Sequence, residues 1–239
     1  GALDAELFYQ LLLGELNARG SESSAGFALI LDAARKTSRP ELYQRAVEVA
    51  FQARNGDAAL QAARAWKQAF PKSREANRFV LQILVALNRL PESVEPLKTE
   101  IALTPEGERA ATIASLPRIY ARVADKKLAA TVVEQGLADA LRKPDTIPAA
   151  WTTIGRMRLA AGGNPGALEG APRGHTADPR AGGPAPLAME LMDPPRPQAE
   201  ALVRAYMAGE PRPEMRMAYA RTLLDALRNA EALQQLQMI

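Results

Sequence analysis

The sequence predicts an all-α fold, an α-solenoid of about seven antiparallel helical hairpins, and three observations carry that expectation. First, prolines recur as a ruler: Pro40, Pro71, Pro105, Pro144, Pro179 and Pro213 stand 31, 34, 39, 35 and 34 residues apart. Second, small or β-branched residues form a matching ruler at Ala25, Ala59, Val94, Ala130, Ala167, Ala201 and Ala232, and each of the first six precedes its proline by 11 to 15 residues. Third, the apolar residues between these marks follow the helical period, and no stretch alternates as a strand would. A period between about 20 and 50 residues is the mark of a repeat architecture.

The elements follow in order. Leu7, Leu11, Leu12 and Leu16 line one face of a first helix, Gly20-Ser21 turns the chain, and Phe27, Leu29, Ile30, Leu31 and Ala34 begin a second. The unit recurs as 40–55 with 57–70, broken at Asn55-Gly56-Asp57, and as 74–89 with 91–103, where Pro91 suits a helix start because its missing N–H would be unpaired there anyway. Residues 107–124 with 126–143, 148–161 with 165–177, 185–193 with 197–209, and 214–227 with 229–239 complete the series. Pro96 and Pro117 fall inside two of these spans and blur their ends. The approximate repeats are 3–39, 40–72, 73–105, 106–146, 147–180, 181–213 and 214–239, read as one domain. Twelve of the 18 prolines lie between Pro144 and Pro213, and seven of the 16 glycines within 162–186. That enrichment leaves a linker as the rival to a kinked hairpin, but the repeat spacing continues through it.

Composition limits the chemistry. The 239 residues are 47% apolar and 24% charged, with no Cys and a single His. Disulfide frameworks, thiolate zinc sites, Cys nucleophiles and His-rich metal sites are thereby excluded. No run approaches about 18 consecutive apolar residues, so no membrane-spanning helix is expected. The net charge of +3 is dispersed, and the short basic clusters Lys72/Arg74 and Lys126/Lys127 read as solvated helix faces.

Candidate chemical sites fare no better. His175 lies late in a second helix near Arg173 and Asp178 without a Ser nucleophile in a matching motif. Gly162-Gly163-Asn164-Pro165-Gly166 lacks the Gly-Lys-Ser/Thr ending of a phosphate loop and follows a helix, so it reads as a hairpin turn. Glu134 and Asp139 are scattered carboxylates without metal-ligand spacing, and Trp66 and Trp151 read as core residues. A non-enzyme with no cofactor and no metal is expected.

Trp151-x2-Ile154-Gly155, then Ala167, then Asp178-Pro179 resembles the tetratricopeptide-repeat (TPR) pattern, with Arg158 and Ala171 standing where that pattern has aromatics. Trp151 and Ile154 would fill the space between two antiparallel helices, Gly155 and Ala167 would allow their close approach, and Pro179 would end the second. Tyr43, Ala46, Ala59 and Pro71, and more weakly Tyr9, Leu12 and Ala25, repeat parts of the pattern. The whole chain resembles a degenerate TPR protein, which implies a right-handed superhelix with a concave wall lined by the first helix of each hairpin. The inward positions would include Gln10, Asn17, Gln44, Glu48, Gln52, Phe79, Ile83, Arg122, Thr152, Arg156 and Arg221. This mixture suits an extended peptide, although each side chain taken singly is also what a solvated surface carries. The carboxylate clamp of some TPR proteins needs Lys and Asn, whereas the corresponding places read Gln10/Gly14, Gln44/Glu48 and Phe79/Ile83, so it is not expected.

The resemblance implies a non-catalytic scaffold that binds a protein or peptide. An accessory domain of a larger enzyme or assembly, and a nucleic-acid-binding solenoid, are the alternatives, and the dispersed charge speaks against the second. Leu11-Leu12-Leu13-Gly14-Glu15-Leu16 and Leu31-Asp32-Ala33-Ala34-Arg35-Lys36-Thr37 are loosely similar to exported proteobacterial TPR proteins and lipoproteins. That implies a periplasmic or outer-membrane-associated adaptor, with the cytoplasm as the alternative. The sequence opens Gly1-Ala2 without a signal-peptide pattern, which is compatible with an export signal removed earlier. Met238-Ile239 is expected to leave apolar surface open to a further partner segment or to self-association.

Overall fold

The computed structural model describes residues 2–162, 164–180, 183–192 and 196–239, and among these every regular element is helical. Two compact units divide the chain, residues 1–104 and residues 105–239.

The first unit holds three hairpins. They are α1 (Ala2–Arg19) with α2 (Ser23–Thr37), α3 (Pro40–Gln52) with α4 (Gly56–Ala69), and α5 (Arg74–Ala86) with α6 (Val94–Leu103), the last entered through a 3-10 turn at Leu90–Ser93. Pro40 is the first residue of α3, where its fixed φ favours the helix and its absent N–H costs nothing. Asn55 and Ser73 cap α4 and α5 by accepting the N–H of Ala58 at 3.0 Å and of Ala76 at 3.1 Å. One continuous core runs from Ile30 and Leu31 of α2 through Tyr43, Val47, Leu60 and Trp66 to Val80 and Leu84 of α5. The α1–α2 contact depends on Gly26. A Cβ placed there would lie 2.5 Å from Ala18 N and 2.6 Å from Gly14 O, so only glycine lets the helices come this close. Ala25, the neighbouring ruler position, is exposed, as are Tyr9 and Leu12.

The second unit holds four hairpins: α7 (Glu106–Ile119) with α8 (Lys126–Gly136), α9 (Ile147–Ala160) with α10 (Asn164–Ala177), α11 (Pro184–Glu190) with α12 (Pro197–Ala208), and α13 (Pro213–Asp225) with α14 (Asn229–Leu236). Residues 164–177 are helical despite Pro172 and pack along α9 as a hairpin partner. Gly162 forms part of the turn before α10, while Gly163 and the side chain of Ala167 lie outside the described residues. The helices α9 and α10 approach closely at Gly170, where a Cβ would lie 2.5 Å from Trp151 O and 2.9 Å from Gly155 Cα.

Several first and second helices stop short of the spans the sequence pattern implies, α7 and α8 by the most. α8 stops at Gly136 rather than continuing to residue 143, because glycine is a poor helix residue and Leu137 N divides its bond between Val133 O and Glu134 O. A 3-10 turn at Ala140–Arg142 follows, and Ala140 O accepts both the Lys143 N–H at 3.5 Å and the Thr146 hydroxyl at 2.7 Å. α7 ends two residues after Pro117. That proline cannot donate to Ile113 O one turn earlier, and the buried Thr153 hydroxyl of α9 supplies the missing bond at 3.1 Å. Thr153→Val should therefore leave a buried carbonyl without that donor and cost about 1–3 kcal/mol in thermal or urea unfolding, whereas Thr153→Ser should cost much less.

The turns inside the hairpins repeat as well. Arg54, Asn88, Gly162 and Leu227 all adopt the left-handed conformation directly after a first helix, with φ of 52°, 57°, 78° and 60°. At three of them the next residue closes a wide turn: Asn55 N to Ala50 O, Arg89 N to Leu84 O and Arg228 N to Leu223 O. Asn and Gly tolerate this region readily, whereas Arg54 and Leu227 hold it at a steric cost of about 1 kcal/mol each.

Candidate functional site

The first helices of all four hairpins in the second unit meet around one cleft of about 630 Å³. Clefts of this size belong to the range that holds several-residue or small-molecule ligands. α7 contributes Ala110, Ala111 and Ala114; α9 contributes Pro148, Ala149, Thr152, Thr153 and Arg156; Pro184 of α11 and Met215 of α13 complete the apolar surface. The helical period brings 110, 111 and 114 to one face of α7 and 149, 152, 153 and 156 to one face of α9. Alanine methyl groups keep that floor shallow, which is why there is space above it.

Polar groups in the cleft divide by place. Thr152 and Thr153 turn their hydroxyl protons inward, to Pro148 O at 2.8 Å and Ile113 O at 3.1 Å. The floor therefore offers no hydroxyl donor to an occupant. Asp145, Asp178 and Arg212 enter from the loops that precede α9, α11 and α13. One Asp178 oxygen accepts the Arg180 N–H at 2.9 Å. Arg156 stands near the far end of α9, and Glu190 of α11 approaches its Nη1 at 2.5 Å. Behind the floor, the Arg173 guanidinium of α10 lies 4.5 Å over the Trp151 ring, a cation–π contact that anchors the hairpin.

The residues expected to line a concave wall are distributed as follows. Thr152 and Arg156 lie in the cleft; Arg122 and Arg221 are exposed outside its lining. In the first unit Phe79 packs on Trp66 with ring centroids 5.6 Å apart and planes tilted by 38°, and Ile83 is 3% exposed, so both belong to packing. Gln10 is turned toward α2, donating to Leu29 O at 2.8 Å and to Asp32 at 2.9 Å. Glu48 joins Arg45, which grips Glu15 of α1 through two bonds of 2.6 and 2.7 Å. The Arg45 guanidinium holds the Glu15 carboxyl below its ordinary range. Asn17 and Gln44 are half-buried, and Gln52 is exposed.

Asp145, Arg212, Met215 and the α7 alanines were not expected at a ligand surface, and Asp178 was expected only near His175 and at a repeat junction. A usable signal was present: each of the three charged residues adjoins a ruler proline, as Pro144-Asp145, Asp178-Pro179 and Arg212-Pro213. Hairpin junctions lie at the ends of first helices, so a charge beside the proline is carried to the edge of their shared face.

Among the described residues no cluster of three His, Asp or Glu side chains could hold a metal, and no helix is long and apolar enough to cross a membrane. Leu227, Leu233, Met238 and Ile239 of the last hairpin are 84%, 56%, 65% and 56% exposed.

Hairpins of about 34 residues, prolines at their junctions and glycine-mediated helix contacts define a TPR-like solenoid fold. Comparison with solved structures finds a TPR protein and two pilus proteins among the similar chains. The chain is similar to PilW, a widely conserved type IV pilus biogenesis factor, at 18% identity over 97% of this chain and 98% of that one, with a TM-score of 0.38. It is similar to PilF of Pseudomonas aeruginosa at 13% identity over 81% and 86%, TM-score 0.42. A thermophilic TPR protein of Thermus thermophilus is similar at 16% identity over 78% and 97%, TM-score 0.34. No protein-family model and no curated protein matches the chain.

Proposed function

We propose that the chain is a non-catalytic scaffold that holds an extended segment of a protein partner in the cleft of its second unit. The single observation behind this reading is the convergence of α7, α9, α11 and α13 on one apolar-floored space of about 630 Å³ with charges at its edges. An extended segment can satisfy such a surface by seating alternate side chains on the floor. Nucleic acid is a poorer occupant, because Asp145 and Asp178 offset Arg156 and Arg212 and leave the lining no net positive charge for phosphates. The narrower role, an envelope adaptor that presents substrates to a protease or assembly factor, is part of the same proposal.

A steric block tests it. Ala149→Trp would fill the cleft floor from a half-exposed position while leaving the core untouched. After chemical cross-linking in a matched lysate, the wild-type chain should retain a protein partner and Ala149→Trp should retain at least tenfold less, with equal helical circular dichroism. Equal capture by both would refute the reading.

A further inference from the structure

We propose that this cleft selects an extended peptide carrying a basic and an acidic residue about four positions apart, with aliphatic side chains between them. The inference rests on the scaffold reading above and adds the chemistry of the occupant.

Three features specify that chemistry. The junction edge of the cleft carries the carboxylates of Asp145 and Asp178 against the one guanidinium of Arg212, which lies toward α13. Beside α9 and α11 that edge is therefore acidic, and it fits a lysine or arginine. The opposite end of α9 carries Arg156. Among the described residues Glu190 touches only its Nη1, so the remaining N–H groups can receive a carboxylate. Between the two ends, the threonine hydroxyl protons are already donated inward, and the surface is methyl and methylene groups. A polar side chain seated there would lose water and gain no hydroxyl donor, whereas an aliphatic one loses nothing.

The spacing follows from helix geometry. Pro148, at the acidic end, and Arg156 are eight residues apart on α9, roughly 12 Å at 1.5 Å per residue. An extended chain advances about 3.3 Å per residue, so four positions cover that span.

Fluorescence anisotropy with labelled synthetic peptides decides the matter. The probes are Ser-Lys-Ala-Val-Ala-Glu-Ser, its isomer with Lys and Glu exchanged, and the Lys/Lys and Glu/Glu versions. One of the two mixed-charge peptides should bind at least tenfold more tightly than both single-sign peptides. The double variant Asp145→Asn, Asp178→Asn should weaken that peptide at least fivefold without weakening the Glu/Glu peptide. Both aspartates are exposed, and circular dichroism verifies that the variant folds. Equal binding of a single-sign peptide, indifference to the double variant, or no binding of any probe at millimolar concentration would overturn the inference. If the charge preference is missing while Ala149→Trp still abolishes partner capture, the peptide chemistry is refuted and the scaffold reading stands. If Ala149→Trp captures normally, the scaffold reading itself falls.

Discussion

Gly170→Val should destabilise the second unit by about 3 kcal/mol, lowering its urea midpoint by roughly 1 M or more. The added Cβ would fall 2.5 Å from Trp151 O and 2.9 Å from Gly155 Cα, both backbone atoms that cannot swing away. Valine gains some helix propensity over glycine, but that gain is about 0.5 kcal/mol and the overlap outweighs it. Gly107→Ala serves as the control. It sits in α7 with no atom within 4 Å of a new Cβ, so the same kind of change should stabilise by about 0.5 kcal/mol. A Gly170→Val midpoint within error of wild type would show that α9 and α10 do not meet through these glycines.

Trp66 carries the largest side chain in the core of the first unit, 2% exposed between α3, α4 and α5. Trp66→Ala should cost about 3–5 kcal/mol, since the cluster it leaves, with Phe79 beside the emptied volume, closes only partly over it. Trp66→Phe should behave very differently. The indole Nε1 is buried with no hydrogen-bond partner among the described residues. Phenylalanine removes that unpaired donor, worth about 1–3 kcal/mol, while giving up a comparable amount of apolar contact. Its net effect should be within about 1 kcal/mol of wild type by urea unfolding. A loss for Trp66→Phe as large as that for Trp66→Ala would contradict this account of the core.

What the sequence revealed and what it hid have separate physical causes. Helix limits were legible because proline marks a junction by removing an N–H, and Pro40, Pro105 and Pro213 stand at or beside helix starts. The left-handed turns at Arg54 and Leu227 were not, since neither residue type favours that conformation and tertiary packing enforces it. Ruler alanines marked the right region but not always the contact: Gly26 rather than Ala25 meets α1. The site was harder still. A first helix packs against its hairpin partner and a neighbouring hairpin, and leaves only the remaining arc for a ligand. Phe79 and Ile83 share a face by their spacing of four, yet that face is turned to packing rather than outward. Thr152 and Arg156 have the same spacing and reach the cleft. Periodicity identifies faces, and only the assembled neighbours decide which face stays open. The charged edge residues were recoverable because they adjoin prolines, a positional cue rather than a periodic one.

Engagement of a partner by the first-helix cleft of the second unit is read directly by site-specific photo-cross-linking. A diazirine amino acid of methionine's size placed at Met215, in the cleft, is compared with one at Lys127, exposed on the second helix α8. A partner adduct is expected from position 215 and little or none from position 127, and Ala149→Trp should abolish the adduct at 215. Equal adducts from both positions, or an adduct from position 127 alone, would contradict that engagement.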